Sequence, residues 1–228
     1  MSGESHLSGL DKQISDQIAE LHIETGRPLI VSDADEVLLQ FVAGLERYLE
    51  ANGYWLDLQS FALTGNIKHT QSGDPVPADQ VAALLKDFFA TQTHTLEAVP
   101  AAAESLKTLS SRAQILVLSN LPLAHREARA TCLANQDMAY PVIANSGLKG
   151  PAVRALAARL EAPVFFLDDI PHNIASVAEA HEASHRIHFI ADTRLAGFID
   201  PAADSHFHTS DWPAARAFIE ARLTDEGY

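Results

Sequence analysis

A single cysteine, Cys132, is all that the 228-residue chain carries, which excludes an internal disulfide and a cysteine-rich metal site. Its setting, "ARATCLANQ", has helical character, so a buried, inert thiol is expected there rather than a nucleophile. No stretch approaches the roughly 20 apolar residues that cross a bilayer. The first residues, "MSGESHLSGLDKQISDQ", lack the basic start and apolar run of a secretion signal. These absences predict a cytoplasmic chain in a reducing setting. Basic residues are scarce too: sixteen Lys and Arg against thirty Asp and Glu give a formal charge of −14. Such a surface repels polyphosphate backbones and anionic lipid, so neither nucleic acid nor a membrane is an expected partner. A local cationic pocket would still admit a small phosphorylated molecule.

What the chain does have is enough apolar material, 47% of its residues, for the core of one domain plus an insertion, or of two small domains. The runs "PLIVSD" (28–33), "AQILVLSN" (113–120), "APVFFLDD" (162–169) and "HRIHFI" (185–190) are rich in β-branched and aromatic residues. With almost no alternation they suit strands covered on both faces, and "YPVIANS" (140–146) is a shorter member of the set. Helical spacing fills the intervals at 100–110, 123–135, 150–160 and 171–183, and Asp211 caps a last helix with Pro213 in its first turn. This alternation predicts a doubly wound parallel α/β sheet. Ahead of it, Leu10, Ile14, Ile18 and Leu21 outline an amphipathic helix within a leader (1–27), expected to pack on the sheet rather than to form a dimer contact.

Between the first and second of these strands about 50 residues are surplus to a strand–helix–strand unit, which needs roughly 30. Two amphipathic stretches, 37–54 and 78–93, flank a polar segment, "TGNIKHTQSGDPVPAD" (64–79), which is expected to be irregular. Residues 37–95 are therefore expected to form a small helical cap, and residues 28–36 and 96–228 the core.

Ligands of open parallel sheets gather at the carboxyl ends of the strands. Those ends carry Asp33 and Asp35, then Ser119 and Asn120, then Asp168 and Asp169, with Lys149 just ahead of a helix. Four aspartates and one lysine brought together need further positive charge, because crowded carboxylates disfavour joint ionisation. A hard divalent cation such as Mg²⁺ matches an oxygen ligand set. One carboxylate could then attack a phosphorus atom, and a second could protonate the leaving oxygen. Ser119 and Lys149 would hold phosphoryl oxygens.

"VSDADEVL", "ILVLSN", "GLKGPAVRAL" and "FFLDDIPHN" together resemble the four ordered motifs of the haloacid dehalogenase-like superfamily. The resemblance implies a Rossmann-like core and an Mg²⁺-dependent phosphatase acting on a small phosphorylated metabolite, as a monomer or homodimer. It also implies Asp33 as nucleophile and Asp35 as general acid/base, the latter lending its backbone carbonyl to the metal. Ser119, with Asn120 beside it, and Lys149 become the phosphate-binding group, and Asp168 and Asp169 the acidic pair that holds the metal. Glu36 departs from the glycine common at its position. In the cap, Lys68 and His69 are candidates for substrate contact, set against an ordinary solvated loop.

Three other functions compete. Carbon–halogen hydrolysis on the same scaffold has no alkoxide to protonate, and Asp35 favours phosphate. A signalling receiver domain would have no acidic pair after its lysine. A non-catalytic phospho-ligand binding protein would normally have lost a reacting residue. The histidines late in the chain (His181, His185, His188, His206 and His208) are expected at exposed or edge positions rather than in a zinc site. Asn173 is expected either to support the metal site or to cap its own helix.

Overall fold

The computed structural model describes residues 10–228; the beginning of the leader, residues 1–9, lies outside them. From there α1 (Lys12–Glu20) leads into β1 (Leu29–Ser32). The insertion follows, made of α2 (Phe41–Ala51), a hairpin of β2 (Tyr54–Leu56) and β3 (Ile67–His69), and α3 (Ala78–Gln92). Then come α4 (Ala102–Leu109), β4 (Gln114–Asn120), α5 (Arg126–Ala134), β5 (Val142–Asn145), α6 (Gly150–Ala157), β6 (Val164–Asp168) and α7 (Pro171–Ala180). The chain ends with β7 (His185–Phe189), the short α8 (Thr193–Ala196), β8 (Phe207–Thr209) and α9 (Trp212–Asp225).

Six strands form one parallel sheet in the order β5-β4-β1-β6-β7-β8. Each apolar run identified in the sequence is one of them, and β1, β5 and β6 are buried at every position. The order reverses at β1, which lies between β4 and β6, with Ser32 opposite both Val117 and Leu167. That register carries Asp33, Ser119 and Asp168 to one edge. β8 went unpredicted because its three residues, Phe-His-Thr, are half-buried at the margin of the sheet and show no continuous apolar run.

One face of the sheet, through Val31, Leu116 and Phe166, packs on Ile14 and Ile18 of α1, Val153 and Leu156 of α6, and Val177 of α7. The leader helix is thus part of the core. Buried Gln17 fixes its register by pairing with both the N–H and the C=O of Ala144, at 2.9 and 3.0 Å. The other face, through Ile30, Phe165, Leu167 and Ile187, shares one apolar cluster with Leu45 and Leu49 of α2, Phe88 of α3, and Trp212 and Ile219 of α9. Each such side chain contributes roughly 1.5–3 kcal/mol on burial.

The insertion begins and ends on a zip of backbone. Gln40 N–H donates to Glu97 C=O and Val99 N–H to Leu38 C=O, at 2.9 and 2.8 Å. This pairing occupies the residues before Phe41, so α2 starts later than its apolar spacing suggests. Inside the insertion, Phe41 and Tyr48 each meet the Phe88 ring edge-on. Gly44 is there because a Cβ would lie 2.3 Å from Leu96 Cδ2. The segment expected to be irregular is partly a hairpin: Ile67 pairs with Leu56 and is fully buried, an anchor that the surrounding polar residues disguise.

Candidate active site

Asp33 follows β1 directly and keeps its place in the sheet, its N–H donating to Leu167 C=O at 2.8 Å. Its Oδ1 accepts from Ala34 N–H at 2.7 Å and pairs with Lys149 Nζ at 2.8 Å. Lys149 is fully buried at the N-cap of α6 and also donates to Asp168 Oδ2 at 2.7 Å. It reaches this position because Gly150 lets α6 start against α7, where a Cβ would sit 2.2 Å from Ser176 C=O. Asp168 is well held, its Oδ1 accepting from Ile170 N–H and from the Asn173 side-chain amide, both at 2.9 Å. Of the two roles open to Asn173, the structure therefore shows support of the acidic pair. The carboxylate of Asp169 accepts no hydrogen bond from the described residues.

One carboxylate oxygen from each of Asp33, Asp168 and Asp169 lies within 4.8 Å of the others. It is the one group among the described residues arranged to hold a metal ion. Burial, together with neighbouring acids, pushes the Asp33 carboxyl up to about 7 despite Lys149. Burial and then Asp168 and Asp33 drive Asp169 well above the usual carboxylate range. For the Lys149 ammonium, burial works against the charge, but Asp168 and Asp33 together outweigh it and raise its pKa.

Asp35 turns the other way. Its two oxygens take a forked pair from Arg129 of α5, Nη1–Oδ1 at 2.6 Å and Nη2–Oδ2 at 3.0 Å, and the guanidinium is fully buried. Arg129 escaped the sequence reading; the available signal was a charged residue three and four positions before Cys132 and Leu133 on the buried stripe of α5. Glu36 adopts φ +57°, the left-handed conformation that glycine reaches without strain. In return its buried carboxylate accepts from Val42 N–H at 2.7 Å and Asp192 N–H at 2.8 Å, tying the first turn of α2 to the loop after β7. Burial outweighs those two bonds and pushes the Glu36 carboxyl up to about 7.

Ser119, at the end of β4, is completely buried, and its Oγ has no hydrogen-bond partner among the described residues. The Asn120 side chain braces the loop leading to Lys149, donating to Gly147 C=O at 3.0 Å and accepting from Asn145 at 2.6 Å. Lys68 and His69 are not brought to the acidic cluster. Lys68 pairs with Asp57 and lies over the Trp55 ring, and His69 packs at a tilt against Tyr54 across the hairpin. The expectation of exposed or edge histidines fails at His188, which is fully buried. Ala202 N–H donates to its Nδ1 at 3.1 Å, so the proton is on Nε2, which meets Asp169 C=O at 3.0 Å. A covered strand can bury an imidazole when backbone groups satisfy both nitrogens.

The donor set fits a hard divalent cation. Four carboxylates (Asp33, Asp35, Asp168 and Asp169) face two buried side-chain cations, Lys149 and Arg129, and the formal deficit equals the charge of one such ion. Burial first, and the neighbouring acids after it, raise the carboxyl pKa values of Asp33 and Asp169. The Ser119 hydroxyl is left without a hydrogen-bond partner among the described residues.

At the level of sequence, no family model and no curated protein matches the chain. Solved structures do match the fold. A haloacid dehalogenase-like family hydrolase from Streptococcus pneumoniae superposes with a TM-score of 0.57 at 12% identity, covering 85% of this chain and 98% of that one. The fold is that of the haloacid dehalogenase-like proteins. A family hydrolase from Deinococcus radiodurans, solved with bound phosphate and sodium, gives 0.57 at 17% identity over 88% and 98% of the two chains. Another from Bacillus subtilis, bound to magnesium, gives 0.55 at 11% identity over 86% and 99%. Among the described residues no helix is long and apolar enough to cross a membrane.

Proposed function

We propose that this chain is an Mg²⁺-dependent phosphomonoester hydrolase acting on a small phosphorylated metabolite in the cytoplasm. The observation that carries the reading is the buried, unpartnered Ser119 hydroxyl on the strand beside the Asp33–Lys149 pair. A vacant donor and a held carboxylate on neighbouring strand ends suit a phosphoryl group. The fold neighbours solved with phosphate and with magnesium support the same chemistry.

In this reading Lys149 and Ala34 N–H hold Asp33 Oδ1, leaving Oδ2 to attack phosphorus. The bond to the leaving oxygen breaks as Asp35 protonates that oxygen, and an aspartyl-phosphate forms on Asp33. Asp35 then takes a proton from the water that attacks the phosphoenzyme, releasing phosphate and regenerating Asp33. Lys149 and Ser119 hold the phosphoryl oxygens through both steps. Asp33, Asp169 and the Asp35 backbone carbonyl would hold Mg²⁺, which would supply neutralising charge and orient the phosphoryl group. Asp168 keeps Lys149 and the start of α7 in place. Asn120 serves by bracing the Lys149 loop, and residues 37–95 act as the cap that selects substrate.

The test is phosphate release from sugar phosphates, nucleotides and small organic phosphates, with and without Mg²⁺. The expected result is Mg²⁺-stimulated release that disappears in Asp33→Asn. Release that persists in that variant, or halide release from haloacids without phosphate release, would overturn the reading.

A further inference from the structure

Arg129 is the second buried cation at the strand ends, and nothing in the phosphatase reading assigns it a task. Among the described residues its only ion pair is with Asp35, and its Nε is buried without a partner, so the guanidinium is committed to one carboxylate. A planar fork meets a carboxylate in a single orientation, unlike the compact ammonium of lysine. The two halves of Asp35 are therefore fixed by different parts of the molecule. Its backbone belongs to the turn after β1, where Leu38 and Leu39 N–H close on Ala34 C=O at 2.8 and 2.9 Å and Glu36 N–H donates to Leu39 C=O. Its side chain belongs to α5, nearly a hundred residues on. The carboxylate is also the one of the four aspartates left out of the close metal-type cluster.

We propose that Arg129 is the positioning residue for Asp35: the fork orients the ionised carboxylate in the resting protein, and one oxygen leaves it to carry the proton, taken from water in the preceding turnover, that Asp35 gives to the leaving oxygen. This rests on the proposed role of Asp35 and goes beyond it by assigning control of that step to α5. The consequence is selective. A substrate whose leaving group departs as a stable anion, such as p-nitrophenyl phosphate, makes little demand on the proton donor. An alkyl phosphate such as β-glycerol phosphate depends on it.

The test compares kcat and KM for these two esters, with saturating Mg²⁺, in wild type, Arg129→Lys, Arg129→Met, Asp35→Asn and the Asp35→Asn/Arg129→Lys double variant. Circular dichroism and thermal melts accompany each variant. Arg129→Lys keeps a cation without the fork, so it is informative even where Arg129→Met does not fold. The expected result for Arg129→Lys is a fall in kcat of about 10- to 100-fold on the alkyl ester, the scale of a misplaced catalytic group. On the aryl ester kcat should change little, with KM unchanged on both. In the Asp35→Asn background the Arg129 change should add almost nothing, since interacting residues are non-additive. Equal losses on both esters, or full additivity with Asp35→Asn, would overturn the assignment while leaving the phosphatase reading intact. A wild type that releases phosphate from neither ester would overturn both.

Discussion

The carboxyl edge of the sheet and the hairpin of the insertion both gather charged and polar side chains, and they dispose of them in opposite ways. In the hairpin the buried and half-buried groups find partners close by in sequence. Lys68 pairs with Asp57, and Asn66 donates to Ser60 and Ala62 C=O. At the sheet edge, partners come from segments far apart in the chain and do not balance. Lys149 serves two aspartates, and among the described residues Asp169 has no donor and Ser119 is buried without a bond. Leaving buried polar groups unmatched costs a protein of this size a sizeable part of its stability. An unbalanced edge beside a balanced hairpin therefore points to a ligand at the first and to ordinary structure at the second.

Asp33→Asn gives the sharpest break. The substitution is nearly isosteric and removes the attacking charge, so kcat should fall by at least about a thousandfold, as for other nucleophiles. The melting temperature should hold or rise, because an under-neutralised buried carboxylate is gone. Next comes the acidic pair, whose members should differ. Asp169→Asn removes the carboxylate without a protein donor and should abolish Mg²⁺ binding measured by calorimetry. Asn173→Ala only frees an oxygen of Asp168, and it should weaken Mg²⁺ by about 10- to 100-fold, the usual effect of removing an outer partner. Equal effects from the two would remove the distinction between Asp168 and Asp169 drawn from their hydrogen bonds.

The sheet was legible because strands covered on both faces must be apolar at nearly every position, and β1, β4 and β6 read that way. The aspartates, Ser119 and Lys149 were legible as residues of the strand ends because they interrupt or follow such runs. Arg129 was hidden, since an arginine in the middle of a helix ordinarily faces water and its partner lies in another segment. His188 was hidden for a related reason: nothing local shows that Ala202 and Asp169 will satisfy its two nitrogens. The β2–β3 hairpin was missed because its pairing depends on one buried residue, Ile67, inside a polar stretch. Local pattern reveals elements, whereas contacts across the fold decide which polar residue is buried.

Glu36 extends the imbalance to stability. Folding raises its carboxyl from an ordinary value near 4.5 to about 7. The folded chain therefore holds a proton that the unfolded chain has released across that window. Stability should decline as pH rises from about 4.5 to 7 and level off above, by up to roughly 3 kcal/mol from this group. Asp33 contributes in the same direction, so the informative quantity is the difference between wild type and Glu36→Gln in one set of denaturant titrations. The variant should flatten the decline, and an unchanged slope would show that the two backbone N–H bonds already offset the burial.

The smallest effect is expected in the hairpin, and it bears most directly on the comparison. Lys68 is partly exposed, paired with Asp57 and seated over Trp55. Exposed ion pairs contribute little, so Lys68→Ala should leave the melting temperature and kcat on p-nitrophenyl phosphate unchanged. If the cap selects substrate through this strand, the effect should appear as a raised KM for the physiological ester alone, because binding lost equally in ground and transition states leaves kcat untouched. A fall in kcat on the generic ester would mean that Lys68 leaves Asp57 and reaches the reacting phosphoryl group during turnover. The hairpin would then belong to the catalytic edge, and the division between a balanced and an unbalanced region would hold only for the resting molecule.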